Sequence, residues 1–206
     1  MSTVTNITQQ RRRKDRFSIY IDGSYRLSLA QDQLADAALR VGDELADADI
    51  TRLAQQSEVG KALDRAYNFL SFRSRSRQEM ARYFRDKKYD ADLIEFLIQR
   101  LEVQDLINDE RFAREWVEAR QLASPRSRIH LQAELREKGI ASDIIEVAMA
   151  STAATDEGAA IMALIAGKRL RQRYPEDQKL IRYLAGKGFR YDAIKAALEQ
   201  FGDTEV

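Results

Sequence analysis

Between residues 17 and 29 the chain reads FSIYIDGSYRLSL, and apolar or amphipathic side chains fall on every second position: Phe17, Ile19 and Ile21, then Tyr25, Leu27 and Leu29. Period two predicts strands with one buried face. Asp22-Gly23 between the runs suits a two-residue turn with positive φ at both positions, so the segment is expected to be a β-hairpin. From Gln31 the period becomes helical. Leu34, Ala37, Ala38 and Val41 predict a short helix ended near Gly42, and Ile50, Leu53, Ala62, Leu63, Ala66, Tyr67 and Leu70 predict one long helix or two abutting ones from near Asp49 to about Phe72. No second strand pattern is read after residue 29.

Three later stretches align without gaps: MARYFRDKKYDADLIEFLI from Met80, LQAELREKGIASDIIEVAM from Leu131, and LIRYLAGKGFRYDAIKAAL from Leu180. Lysine recurs at Lys87, Lys138 and Lys187, aspartate at Asp92, Asp143 and Asp192, isoleucine at Ile94, Ile145 and Ile194, and an apolar residue at Tyr89, Ile140 and Phe189. The spacing, about 50 residues, marks a repeat. In each copy a helix should end at the Lys, the chain turn at Lys88, Gly139 or Gly188, and a second helix begin near the Asp. Lysine at a helix C-terminus and aspartate at an N-terminus both complement the helix dipole, and glycine takes the left-handed C′ conformation at least cost.

An amphipathic helix precedes each pair, roughly Val59 to Phe72, Asp109 to Leu122, and Glu157 to Arg173. Boundaries are marked by Ser76-Arg77-Gln78-Glu79, which fits a capping box, by Asn108-Asp109-Glu110, and by Ser124-Pro125 and Tyr174-Pro175. The expected division is 1–57 for a basic arm, hairpin and short helical extension, then three-helix repeats at 58–107, 108–153 and 154–206. The fold class is mainly α: tandem three-helix repeats stacked into an elongated curved array, with an N-terminal β-hairpin.

Composition narrows the chemistry. With 44% hydrophobic and 33% charged residues, the 206-residue chain has material for a core and for a solvated surface. No apolar run approaches the roughly 20 residues of a membrane span, so a soluble, cytoplasmic protein is expected. The absence of cysteine excludes disulfides, thiolate metal sites and cysteine nucleophiles. The only histidine, His130, has no nucleophile or second ligand near it in sequence and is expected on a helix surface. Gly158, Gly167, Gly186 and Gly188 form no phosphate loop, and Asp109-Glu110 is explained by the helix dipole. Neither enzymatic activity nor a cofactor or metal is expected.

The net charge of +1 conceals segregation, with basic stretches at Arg11 to Arg16 and Arg73 to Lys88 and an acidic one at Asp32 to Glu58. The leading partner site is Arg73, Arg75, Arg77, Arg82, Arg85, Lys87 and Lys88, because arginines at a loop and helix start suit carboxylate or phosphate contacts. The competing reading is a solvated face. Lys168, Arg169, Arg171 and Arg173 are weaker candidates that could simply complement a helix end, and Arg11, Arg12, Arg13 and Lys14, with Arg16, read as a flexible basic arm. Trp116, in register with Phe112, is expected to pack in the core rather than stack on a base.

At YNFLSFRSRSRQE from Tyr67, LINDERFAREWVEAR from Leu106 and LQAELREKGI from Leu131, the sequence resembles the RecX family, from about Glu58 to Phe201, with the hairpin matching an N-terminal extension of some members. The resemblance implies an all-helical repeat protein that binds RecA filaments on single-stranded DNA, restrains recombinase and ATPase activity, and serves DNA repair, recombination and SOS regulation. RecA and single-stranded DNA are therefore the expected partners, no membrane is involved, and the protein is expected to be a monomer. The family usually has proline where Ser74 stands and glycine where Lys88 stands. Lys88 at positive φ would carry about 1 kcal/mol of strain. An autonomous DNA-binding module built on helix-turn-helix units is the alternative, opposed by the lack of Arg or Lys in Ile140 to Met149.

Overall fold

The computed structural model describes residues 1–151 and 156–204. It divides into two compact units, Met1–Arg73 with Asp90–Gln99, and Ser74–Tyr89 with Arg100–Val206. No helix among the described residues is long and apolar enough to cross a membrane.

The first unit opens with a four-stranded antiparallel sheet of β1 (Ser2–Gln9), β2 (Arg16–Ile21), β3 (Ser24–Ala30) and β4 (Glu44–Leu45), in the order β3-β2-β1-β4. The predicted hairpin is β2–β3, turning at Asp22 (φ 50°) and Gly23 (φ 78°) as a turn with two positive φ values requires. Two strands were not expected. β1 pairs with β2 from Val4 opposite Ile21 to Gln9 opposite Phe17, so the supposed arm is a strand followed by a turn. β4 has only two residues, too few to show a period.

Helix α1 (Gln31–Asp36) stops before the predicted end near Gly42, since Ala38 takes φ 48°. Helix α2 (Asp47–Leu70) is one continuous helix. Ile19, Ile21, Leu27 and Leu29 of the hairpin form a buried cluster with Val4, Leu39, Leu45 and Leu53. Beside it runs a buried polar connection. Arg16, 3% exposed, donates to Asp64 of α2 at 2.6 Å and to the Ser28 carbonyl at 2.8 Å, while the Ser57 hydroxyl donates to the same carbonyl at 2.6 Å.

In the second unit α3 (Arg77–Asp86) stands for the first copy of the aligned motif, with α6 (Arg128–Glu137) and α10 (Asp177–Gly186) as its counterparts. Helix α4 (Ala91–Val103), which begins in the first unit and ends in the second, has its counterparts in α7 (Ser142–Ser151) and α11 (Tyr191–Thr204). The leading helices of the second and third repeats are α5 (Asp109–Ala123) and α8 (Glu157–Gly167) with the short α9 (Leu170–Arg173). The single helix expected over Glu157 to Arg173 is broken where Arg169 takes φ 47° and buries Leu170.

The repeat alignment is a packing equivalence. Leu131, Leu135, Ile140, Ile145, Ala148 and Met149 are buried in the cluster of the second repeat. Leu180, Leu184, Phe189, Ile194, Ala197 and Leu198 are buried at the same motif positions in the third. At the turns Gly139 and Gly188 have φ of 78° and 75°, and Lys88 accepts the same left-handed conformation at φ 66°.

A buried serine links each of the first two motif helices, α3 and α6, to the following repeat. Ser76 caps α3 by accepting the Glu79 amide at 3.1 Å and donates its hydroxyl to the Lys138 carbonyl at 2.7 Å. Ser127 caps α6 in the same manner and donates to the Lys187 carbonyl at 2.8 Å. This explains why glycine occupies the two turns. A Cβ on Gly139 would stand 2.5 Å from the Gln78 side chain, and one on Gly188 would stand 2.8 Å from the Ser127 hydroxyl.

Candidate functional site

The seven residues of the leading basic cluster do not act alike. Arg73 follows α2 in the first unit, and the other six belong to the second. Arg77 opens α3 and is used within the fold: its backbone amide donates to Asp109 at 2.8 Å and its guanidinium to Glu102 at 3.0 Å. Burial pushes the Asp109 carboxyl above the usual carboxylate range, opposed by the Arg77 amide and reinforced by Glu102. Arg75 is half-buried.

Arg82 and Arg85 are exposed on α3, three positions apart and therefore on one flank, while Met80 and Phe84 face inward. Lys87 holds its ammonium 5.7 Å from the Tyr83 ring centre, and Lys88 is exposed at the turn. Arg82, Arg85, Lys87 and Lys88 are thus the exposed cations that the cluster contributes to the second unit. Corresponding positions of the later repeats carry Arg136, equivalent to Arg85, and Arg182, equivalent to Arg82, and both are exposed. These two were missed, although laying the three motifs over one another contained the signal.

The N-terminal basic residues lie in the β1–β2 connection and at the start of β2. Arg13 binds Asp15 at 2.9 Å and Asp64 at 3.0 Å, and Arg16 is the buried partner of Asp64, so these two are structural. Arg11, Arg12 and Lys14 remain exposed. In the second weaker cluster Lys168 caps the C-terminus of α8, Arg171 pairs with Asp177, and Arg173 lies 5.6 Å from the Tyr174 ring centre.

Trp116 is half-buried and packs against the core cluster of the second repeat. It stacks on Phe112 at 5.7 Å and donates its indole N–H to Glu134 at 2.9 Å. His130 is exposed as expected, yet its Nδ1 stands 2.7 Å from the Lys187 carbonyl, beside the Ser127 link. No cluster of groups able to hold a metal occurs among the described residues.

The chain matches family models described as the N-terminal domain of regulatory protein RecX over residues 2–46, and as the first and second three-helix domains of RecX over 62–101 and 108–149. It is 32% identical to a Bacillus subtilis protein named regulatory protein RecX, with 97% of this chain and 77% of that one aligned. A Listeria monocytogenes protein of the same name is 34% identical over 94% and 74%. A crystal structure of regulatory protein RecX superposes with a TM-score of 0.76 at 24% identity, covering 97% of this chain and 100% of that one. RecX from Lactobacillus salivarius gives a TM-score of 0.60 at 28% identity, over 69% and 95%.

Proposed function

The chain belongs to the RecX family of regulatory proteins, and from that premise we propose that it regulates RecA by binding the recombinase filament on single-stranded DNA and lowering its ATPase and strand-exchange activity. It would do so in the cytoplasm, in DNA repair, recombination and SOS control. The supporting observation is the recurrence of exposed cations on the motif helices: Arg82 and Arg85 on α3, Arg136 on α6 and Arg182 on α10. Exposed arginines that recur at two motif positions, each in two of the three copies, present like charge to a partner that is itself repetitive, as a filament of identical subunits is.

No bond need be made or broken. A protein that binds one filament geometry better than another shifts the assembly equilibrium by the difference in affinity. Arginine suits this role because its planar fork meets a carboxylate or phosphate with two parallel hydrogen bonds.

The test is RecA-catalysed ATP hydrolysis on single-stranded DNA, titrated with the wild-type chain and with the Arg82→Glu/Arg85→Glu/Lys88→Glu variant, whose altered side chains are exposed. Wild type should inhibit well below the concentration that coats the DNA, and the variant should require at least tenfold more. Inhibition seen only when the protein itself saturates the DNA would replace this reading with the autonomous DNA-binding one.

A further inference from the structure

Beyond the basic face of the motif helices, we propose that the junction between the second and third repeats is a binding site for a phosphate group. The molecule builds the same junction twice, with two carboxylates set among the cations in one copy and replaced by His130 and Tyr183 in the other.

Where the first repeat's α3 meets the second repeat, two carboxylates sit among the cations. Glu79 accepts the Lys138 ammonium at 2.8 Å. Glu134 accepts the Arg120 guanidinium at 2.8 Å and the Trp116 indole at 2.9 Å, and the Trp116 ring lies 4.4 Å from Arg120 and 5.2 Å from Lys138. The junction is filled and neutralised by its own side chains.

The corresponding junction one repeat later keeps the cations and loses both acids. Arg126 and Lys187 replace Arg75 and Lys138 at the spacing of the aligned motifs, whereas His130 replaces Glu79 and Tyr183 replaces Glu134; on the leading helices, matching the buried Phe112, Ala113 and Val117 to Ala160, Ile161 and Ile165 sets Lys168 at the place of Arg120. Leu164 replaces the larger Trp116. A cavity of about 30 Å³ opens there, lined by these residues with Ser127 and Phe189, and no carboxylate is among the lining residues described. The Arg126 Nε is buried without a hydrogen-bond partner and stands 3.8 Å from Glu134, beyond hydrogen-bond reach. Lys187 rests its ammonium 5.6 Å from the Tyr183 ring centre.

Three cations line a cavity whose wall holds no carboxylate, and Glu134 pairs with Arg126 without a hydrogen bond, so an oxyanion relieves their repulsion while giving Arg126 Nε an acceptor. The space admits a compact tetrahedral group and excludes a nucleobase, so whatever carries the phosphate must remain outside. Phosphate free in solution and phosphate in a nucleic-acid backbone offer the same group.

The full chain, labelled with ¹⁵N, is titrated with inorganic phosphate against sodium chloride at matched ionic strength, and in a second arm with a short oligothymidylate. Phosphate should shift the amides of His130, Lys168 and Lys187 saturably, and chloride should not. If the oligonucleotide shifts the same amides at lower concentration and competes with phosphate, the natural group is a phosphodiester; if only inorganic phosphate does, it is a free phosphate. Either supports the site. His130→Glu restores the acid found one repeat earlier and should weaken binding at least tenfold. Lys168→Gln, at an exposed position, should weaken it several-fold even if the first variant fails to fold. Absence of a saturable shift at these amides, or undiminished binding by both variants, overturns the proposal. ATPase inhibition plays no part in the readout, so the two proposals fail separately.

Discussion

Gly188→Ala is expected to destabilise the third repeat by about 2–4 kcal/mol, and the sum can be worked from its neighbours. An L-residue in the left-handed conformation costs about 1–2 kcal/mol, and Gly188 has φ 75°. The new Cβ would also stand 2.8 Å from the Ser127 hydroxyl, which is fully buried and cannot swing aside. Moving it weakens the bond to the Lys187 carbonyl at 2.8 Å and the long cap from the His130 amide at 3.4 Å, together worth about 1–2 kcal/mol. Ser127→Ala alone should cost about 1–2 kcal/mol, because the Lys187 carbonyl retains His130 Nδ1 at 2.7 Å. The assay is native-state hydrogen exchange on α10 and α11 amides for wild type, both single variants and the double variant. Since Ser127→Ala removes the atom that the new methyl strikes, the double variant should be at least 1 kcal/mol better than the sum of the singles. Additivity within about 0.5 kcal/mol would refute the contact as the reason for glycine.

Lys88→Gly should stabilise by about 1 kcal/mol in the same exchange assay, because it relieves a left-handed lysine at an exposed turn; a loss would show that the lysine side chain holds the turn. Arg16→Ala should cost about 1.5–3 kcal/mol in denaturant unfolding followed on the sheet, as it removes the buried guanidinium from Asp64 and the Ser28 carbonyl while Asp64 keeps Arg13, and a cost under 1 kcal/mol would sink that account. Asp105 is held below the usual carboxylate range, first by the Asn108 amide and then by Arg111. Its folded pKa is thus below the unfolded value of about 3.9, so its stabilisation is present above that value and lost as pH falls through the folded one. Asp109 has the opposite sign, its contribution fading as pH rises through its raised folded value. Carboxyl-carbon NMR titration should place Asp105 below and Asp109 above the ordinary range, and Asn108→Ala should move Asp105 upward; the reverse order would contradict both environments.

Much of this fold is written locally and so could be read. The hairpin announces itself through Phe17, Ile19 and Ile21 and the Asp22-Gly23 turn, and the repeat through aligned Lys, Asp and Ile. Those features depend on neighbours a few residues away. The rest depends on partners far along the chain. Ser76 reads as a helix cap, which it is, but its bond to Lys138 spans 62 residues. Arg16 looks like one more basic residue until α2 brings Asp64 to it, 48 positions on. β1 has Val4 and Ile7 amid polar residues, and only pairing with β2 makes it a strand. Of the candidate site, the exposed Arg82, Arg85, Lys87 and Lys88 were visible as charge, whereas the diversion of Arg77 to Asp109 and Glu102 required the tertiary structure.

The serine-to-turn link has two halves, a capping serine on one repeat and a glycine turn on the next, and a repeat needs both to stand in the middle of a series. The first repeat has Ser76 but carries Lys88 where the glycine would be. The third has Gly188, but α10 begins at Glu176 with no side-chain cap. The first repeat can therefore be followed but not preceded through this link, and the third preceded but not followed. In polymer terms the second repeat is a bifunctional monomer and its neighbours are end groups. Two links are present among the described residues, and Lys88→Gly with Glu176→Ser would supply the half of the link that each outer repeat lacks.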